Sequence, residues 1–214
     1  MRDLEIVGAY GIEKNADKVY LITERQEAGR EYSFTRLEVA GQAVAWKDPV
    51  RGSARTDQQA PTLVERRPQQ RMASGDSLIF IFNEAMRQER VENFWVTSDS
   101  TWTPPGRWQW LGRTVLAFVL SEAPPTGEYR LAGRTALLRD LYGNALKDST
   151  IAFDLQVLSS DELAGLEGRV VDASGTASAT AQVRALHLSQ GRTYSAVADV
   201  DGYYTLVDLL PGAV

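Results

Sequence analysis

Two aspartates one residue apart, in Asp199-Val200-Asp201-Gly202, are the first residues of this chain whose types could do chemistry. A hard cation such as calcium collects about six to eight oxygen ligands, and clustered carboxylates are how a loop supplies them. No third acid follows in step, so the ligand shell falls short. The same residues also make a hairpin turn, because Asp accepts backbone N–H bonds and Gly supplies a positive φ. Asp140-Leu141-Tyr142-Gly143-Asn144 poses the same choice, with the same turn chemistry in its favour.

Aromatic side chains offer a second kind of site. Trp95, Trp102, Trp108 and Trp110 fall close together. Trp108 and Trp110 are two apart and so share one face of a strand. A flat aromatic shelf made of them, with Trp102 in a loop before Thr103-Pro104-Pro105, would stack on sugar rings. The competing expectation is that this face packs in the core, where aromatics bury large areas.

Acid–base and nucleophilic chemistry find little support. Glu84, Glu89 and Glu92 have no matched partner group, and general acid–base catalysis needs a pair. The one histidine, His187, lies in a strand of alternating character and reads as a surface or hydrogen-bonded residue. A His-based triad or multi-His metal site is out of reach with one imidazole, and the absence of cysteine removes disulfides and thiolate-bound zinc. No phosphate-binding glycine loop and no Gly-x-Ser-x-Gly element is present. The chain is therefore expected to have no catalytic residues and no cofactor. A formal charge of −5 and no basic stripe argue against nucleic acid as a partner. No apolar run approaches the ~18–20 residues of a membrane span.

The elements that must position these residues are strands. Short runs of Val, Ile, Phe, Tyr and Thr recur between Gly, Pro, Asp and Asn, which is an all-β pattern. Helical turns are expected only near Glu84–Arg90 and Ser160–Ala164. Strands are expected near Leu4–Tyr10, Lys18–Thr23, Tyr32–Val39 and Gln42–Trp46. Seven more are expected at Thr62–Glu65, Ser77–Phe82, Phe94–Thr97, Arg107–Trp110, Thr114–Leu120, Glu128–Ala132 and Thr150–Val157. Leu78-Ile79-Phe80-Ile81-Phe82 is apolar on both faces, so it belongs at the centre of a covered sheet.

An internal repeat organises them. Val19–Thr23 followed by Gly29-Arg30-Glu31-Tyr32-Ser33 matches Val115–Val119 followed by Gly127-Glu128-Tyr129-Arg130-Leu131. Each copy is an apolar strand, a polar turn, a Gly, a Glu-Tyr and another strand, the signature of a modular array. The expected organisation is a partial sandwich module over 1–56, a complete immunoglobulin-like sandwich over 57–158, and a truncated sandwich over 163–214. Arg51 to Ala60 is polar and reads as a linker. Both ends are expected to be cut inside modules, with a signal sequence upstream.

Two stretches resemble known families. Ala60-Pro61-Thr62-Leu63-Val64, Phe82-Asn83-Glu84-Ala85-Met86 and Gly127-Glu128-Tyr129 with Asp140-Leu141-Tyr142-Gly143-Asn144-Ala145-Leu146 make residues 60–157 similar to bacterial Ig-like domains of the S-layer type. Asn83 stands where that family usually has Ser. Gly168-Arg169-Val170-Val171-Asp172, Asp201-Gly202-Tyr203-Tyr204-Thr205-Leu206 and Leu210-Pro211-Gly212 resemble the carboxypeptidase regulatory-like, transthyretin-type domain. That family is a non-catalytic β-sandwich accessory, and no active-site residue carries over. The resemblances imply a structural or spacer segment of a modular bacterial envelope or secreted protein. Its partners would be neighbouring domains of the same polypeptide, and also a cell-wall or extracellular glycan or a surface protein. A glycan- or protein-binding module with a Trp-lined face, and an accessory segment of a secreted enzyme, remain as alternatives.

Residues 58–158 expressed alone are expected to unfold in one cooperative transition in urea, while residues 1–56 alone stay largely disordered. A folded, cooperative 1–56 fragment would remove the half-module expectation.

Overall fold

The structure is a computed structural model that describes residues 2–3, 5–11, 18–34, 37–39, 42–44, 47–73, 75–89, 91, 95–97, 105–188 and 190–212. Among them the chain is all-β, with no α-helix and one short 3-10 turn at Ser160–Glu162.

The centre of the chain is built on Leu78–Phe82. This strand has four of its five side chains fully buried, as apolar residues on both faces require. It lies between Val115–Leu120 and Leu63–Arg67, with Gly106–Trp110 paired to the far side of Val115–Leu120. All of these pairings are antiparallel. A second four-stranded sheet runs in the order Trp95–Thr97, Gly127–Arg134, Thr150–Val157, Arg71–Met72. In Thr150–Val157 inward and outward residues alternate without a break, so Ile151, Phe153, Leu155 and Val157 all point inward. The two sheets share one core. In it the Phe80 ring meets Phe153 of the other sheet at 6.2 Å and Trp108 of its own at 5.8 Å.

One lateral edge of this pair of sheets is closed by a charged group. The chain leaves the first sheet at Arg67 and enters the second at Arg71, beside the edges of both. There the Arg66 guanidinium lies 3.8 Å above the Phe153 ring and donates hydrogen bonds to the carbonyls of Pro68 and Gln69. Burial pushes its pKa down to about 10. A cation held over an aromatic face, with its N–H groups satisfied, covers apolar surface that water would otherwise reach.

Before the central sheets come three smaller ones. Glu31–Ser33 pairs in parallel with Arg2–Asp3 and antiparallel with Val50–Arg51, Ile6–Gly11 pairs with Val19–Thr23, and Leu37–Val39 pairs with Gln42–Val44. The repeat has a physical basis here. In both copies a glycine of positive φ precedes the Glu-Tyr, Gly29 at 74° and Gly127 at 150°. In both copies the tyrosine hydroxyl turns back on the preceding loop: Tyr32 Oη accepts the Glu27 N–H at 2.8 Å, and Tyr129 Oη donates to the Pro125 carbonyl at 2.7 Å.

After the central sheets, Ala164–Arg169 pairs with Tyr203–Leu209, and Gln182–Leu186 pairs with Thr193–Val197. Tyr194, Leu206 and Leu209 form a small core between these strand pairs.

Two expectations need correction, and one strand is additional. Residues 84–89 form no helical turn, because their backbone donors reach other loops: Met86 N–H to the Arg113 carbonyl and Arg87 N–H to that of Arg139, both at 2.8 Å. Tyr32–Val39 is not a single strand, since Glu31–Ser33 and Leu37–Val39 pair into different sheets. Arg71–Met72 is an additional edge strand, too short to show any periodicity.

Phe80→Ala is expected to cost about 3–5 kcal/mol in urea denaturation, because the cavity opens between two sheets. Val64→Ala, at a partly exposed position of the edge strand, is expected to cost less than about 1 kcal/mol.

Candidate functional site

Asp199, Asp140 and Asp172 each begin the pattern Asp-x-x-Gly-x, and each folds the same way. The aspartate Oδ1 accepts two backbone N–H groups, two and four residues ahead. For Asp140 these are Tyr142 and Asn144, at 2.9 and 2.7 Å. For Asp172 they are Ser174 and Thr176, at 2.8 and 3.0 Å, and for Asp199 they are Asp201 and Tyr203, both at 2.9 Å. The aspartate's own N–H returns to the carbonyl of the fifth residue, at 3.0, 2.9 and 2.8 Å respectively. The glycines Gly143, Gly175 and Gly202 sit at φ of 93°, 84° and 82°, where a Cβ is strained. At Gly202 an added Cβ would also lie 2.5 Å from the Val170 carbonyl oxygen.

These bonds decide how Asp199 and Asp201 behave. Asp199 spends Oδ1 on closing its own turn, and the Asp201 carbonyl accepts Arg169 Nε at 2.9 Å. Asp199 closes a turn that connects Thr193–Val197 to Tyr203–Leu209, strands that pair into different sheets rather than forming the expected hairpin. Asp172 is held below the usual carboxylate range by the Ser174 hydroxyl first, then by the Thr176 and Ser174 amides. The stability from that shift is fully present above the ordinary carboxylate pKa and is lost as pH falls through the lowered value.

Sequence reasoning missed one acidic cluster. Ligand oxygens of Asp57, Glu84 and Asp140 lie within 4.8 Å of one another. Asp57 reaches this place because its carbonyl accepts Asn144 Nδ2 at 3.1 Å, while the same amide donates to Asp140 Oδ2 at 2.7 Å. Burial, and then the Asp57 and Asp140 charges, push Glu84 above its ordinary value. Asp140 is fully buried and both its oxygens are occupied by turn donors. The cluster thus disfavours the charged form of Glu84 relative to an isolated carboxylate. The signal for it lay in the Asp-x-x-Gly-Asn turn, but nothing in the sequence tied Asp57 to it.

The tryptophans divide. Trp108 and Trp110 share a face, and that face is turned to the core: Trp108 lies 4.9 Å from the Phe118 ring, and Trp110 lies 6.1 Å from Phe82 with its indole N–H on the Glu89 carbonyl. Arg107 and Gln109 take the outer face. The outward shelf therefore does not form from these two rings. Trp102 lies outside the described residues, and Trp95 stands in the strand Trp95–Thr97. His187 is buried, with Nε2 at 3.3 Å from the Pro211 carbonyl and no room for a side chain at Gly212.

The places where the segments meet hold the remaining polar chemistry. On one side, Tyr10 packs against Tyr20 at 5.1 Å and lies close to Glu84 and Tyr142. On the other, Arg192 forms an ion pair with Asp76, whose second oxygen accepts the Ala73 N–H at 2.8 Å. Burial raises the Asp76 pKa more than the Arg192 charge lowers it. Arg192 also lies 4.7 Å over the Tyr194 ring, which ties the ion pair into the C-terminal core.

A family model for the carboxypeptidase regulatory-like domain matches residues 165–214. Among solved structures the chain is similar to the N-terminal part of the bacterial S-layer protein SbsC, at 12% identity and a TM-score of 0.39. That alignment covers 70% of this chain and 44% of the other, so the chain spans less than half of it. No curated protein sequence matches. No helix among the described residues is long and apolar enough to cross a membrane.

Asp140→Ala is expected to cost about 2–3 kcal/mol in denaturant melts, because it strands buried backbone donors. Glu84→Gln is expected to raise stability at neutral pH by less than about 1 kcal/mol, since Glu84 is still partly exposed to solvent. Its raised pKa means the native protein loses stability as pH climbs through the interval above 4.5. The gap between Glu84→Gln and the native protein should therefore close in acid. Millimolar calcium is expected to leave the melting temperature unchanged; a rise of several degrees would return the Asp199–Asp201 pair to metal binding.

Proposed function

We propose that this chain is a non-catalytic spacer and interaction segment of a modular bacterial envelope or secreted protein. One observation carries the proposal: its neighbours engage the central sheets at opposite ends of the same strand. Beyond the Phe82 end lie Glu84, Ala85 and the Asp140–Asn144 turn, which meet the Ile6–Thr23 hairpin through Tyr10 and the linker through Asp57. Before the Leu78 end lies Asp76, which meets Arg192. Five residues of strand span about 16 Å, so load entering at one junction passes along a buried, doubly paired strand to the other. On this reading the central part is an Ig-like module over 57–158, flanked by modules over 1–56 and 163–214. The match of residues 165–214 to a regulatory-like domain supports an accessory rather than a catalytic role.

The junctions are polar and specific, which suits a spacer whose angles must be held. A buried ion pair adds little net stability over an apolar contact, but removing one partner is costly because the other charge stays behind. Asp76→Ala would leave Arg192 and the Ala73 N–H without their partner and is expected to destabilise by about 3 kcal/mol. Asp76→Asn keeps an acceptor for both and should cost less. Calorimetry of the native chain is expected to show residues 57–212 melting together. Asp76→Ala should split that transition in two, and the radius of gyration from solution scattering should rise. A single unchanged transition in Asp76→Ala would mean the junction does not stiffen the chain.

A further inference from the structure

The first copy of the repeat reproduces part of the second, strand for strand. In the second copy, Val115–Leu120 pairs antiparallel with Gly106–Trp110, and Gly127–Arg134 pairs antiparallel with Thr150–Val157. In the first, Val19–Thr23 pairs antiparallel with Ile6–Gly11, and Glu31–Ser33 with Val50–Arg51. The registers also correspond. Leu21 faces Ala9 and Tyr20 faces Tyr10, as Ala117 faces Gln109 and Leu116 faces Trp110.

The copies differ at one edge. The other side of Val115–Leu120 is filled by Leu78–Phe82, antiparallel, with Ile79 opposite Ala117 and Phe80 opposite Leu116. Among the described residues, no strand pairs with the same side of Val19–Thr23. The side chains reflect the difference. Ala117 is 1% exposed and its counterpart Leu21 is 38% exposed. Leu116 and Phe118 are buried, whereas their counterparts Tyr20 and Ile22 are only half-buried. An open edge beside uncovered apolar side chains is a template for another strand.

The space beside that edge suits one. A cleft of about 590 Å³ has residues 21–26 along one wall and 53–56 along another, and Leu141 and Tyr142 add apolar surface. The cleft also holds Arg25 and Arg55, and neither forms an ion pair with a described residue. With Glu24 beside them, this end keeps a net positive charge. In the register of the second copy an antiparallel partner begins here, because Leu78 lies opposite Phe118, the counterpart of Ile22. An acidic residue just before the partner's apolar run therefore meets the two arginines.

We infer that the open edge of Val19–Thr23 binds an extended apolar strand of a partner polypeptide, antiparallel to it, with an acidic residue before the strand's first apolar side chain. The partner's backbone extends the two-stranded sheet, and its alternate side chains cover Leu21 on one face and Tyr20 and Ile22 on the other. This goes beyond the spacer role and is independent of it. An unsplit transition in Asp76→Ala leaves the edge open, and failure to bind a strand leaves the polar junctions intact.

The test is an NMR titration of the full chain with a peptide of the chain's own residues 76–84, whose Leu78–Phe82 part fills this position in the second copy. The peptide is expected to bind saturably, with amide shifts gathered at 19–26 and 53–56. Two N-methylated forms, one at positions 79 and 81 and one at 78, 80 and 82, keep every side chain and each remove the donors along one edge. At least one of them is expected to bind about tenfold more weakly. Lysine in place of the peptide's Asp76 is expected to weaken binding several-fold at low salt. In the protein, Leu21→Lys sets a charge against the incoming strand and is expected to weaken binding about tenfold. Its melting temperature should not change, because Leu21 already reaches solvent. The shift map and the methylated peptides stand without that variant. No binding, or shifts gathered at Val115–Leu120 or Leu63–Arg67, would each overturn the inference. Equal binding of both methylated forms and the unmodified peptide would overturn it in favour of simple apolar adhesion. Equal affinity of the lysine peptide would overturn the acidic requirement. A concentration-dependent dimer with shifts at 19–26 and no peptide binding would overturn it in favour of two copies pairing at this edge.

Discussion

The two-sided burial of Leu78–Phe82 is the constraint on which the rest of the structure depends. A strand that is apolar on both faces needs pairing on both edges and cover on its sides; it is paired on both edges, Leu78, Phe80 and Phe82 are covered by the second sheet, and on the other face Ile81 is buried and Ile79 half-buried. The covering from the second sheet comes from Phe153 and its neighbours, and the covering at the open edge comes from Arg66 held over that ring. The strand's ends then fix where the loops at either pole lie. The flanking segments touch those poles through Asp140, Asp57 and Tyr10 at one end and through Asp76 and Arg192 at the other.

The poles are kept in shape by a second device, the aspartate turn. A turn held only by one backbone bond is soft, and a carboxylate that accepts two more amides fixes five residues at once. The chain uses this at 140–144, 172–176 and 199–203, each time with a left-handed glycine in fourth place. Carboxylates used this way commit one oxygen to the backbone of their own turn. The same logic makes the junction polar: it is built from loops, and loops must satisfy their own backbone groups before they can pack against anything.

Much of the fold was legible in the sequence because β-structure writes itself in period-two patterns and in turn residues. The seven central strands and the buried centre at Leu78–Phe82 follow from those patterns. The failures have separate causes. Glu84–Arg90 has helix-forming composition, but tertiary donors to Arg113 and Arg139 outbid local bonding. Arg71–Met72 is a two-residue parallel edge that no pattern could announce. Trp108 and Trp110 were rightly placed on one face, but sequence alone does not say which face of a strand looks inward, and here it is theirs.

The sequence by itself determined the all-β class and the positions of the aspartate turns. These depend on residue type and local spacing, which are present in the chain before it folds. Only the tertiary structure decided which polar groups meet. Asp57 with Glu84 and Asp140, and Asp76 with Arg192, are encounters between distant segments. Their energies come from burial and from the charges brought together, like in the first and opposite in the second, and neither exists until the sheets have packed and excluded water.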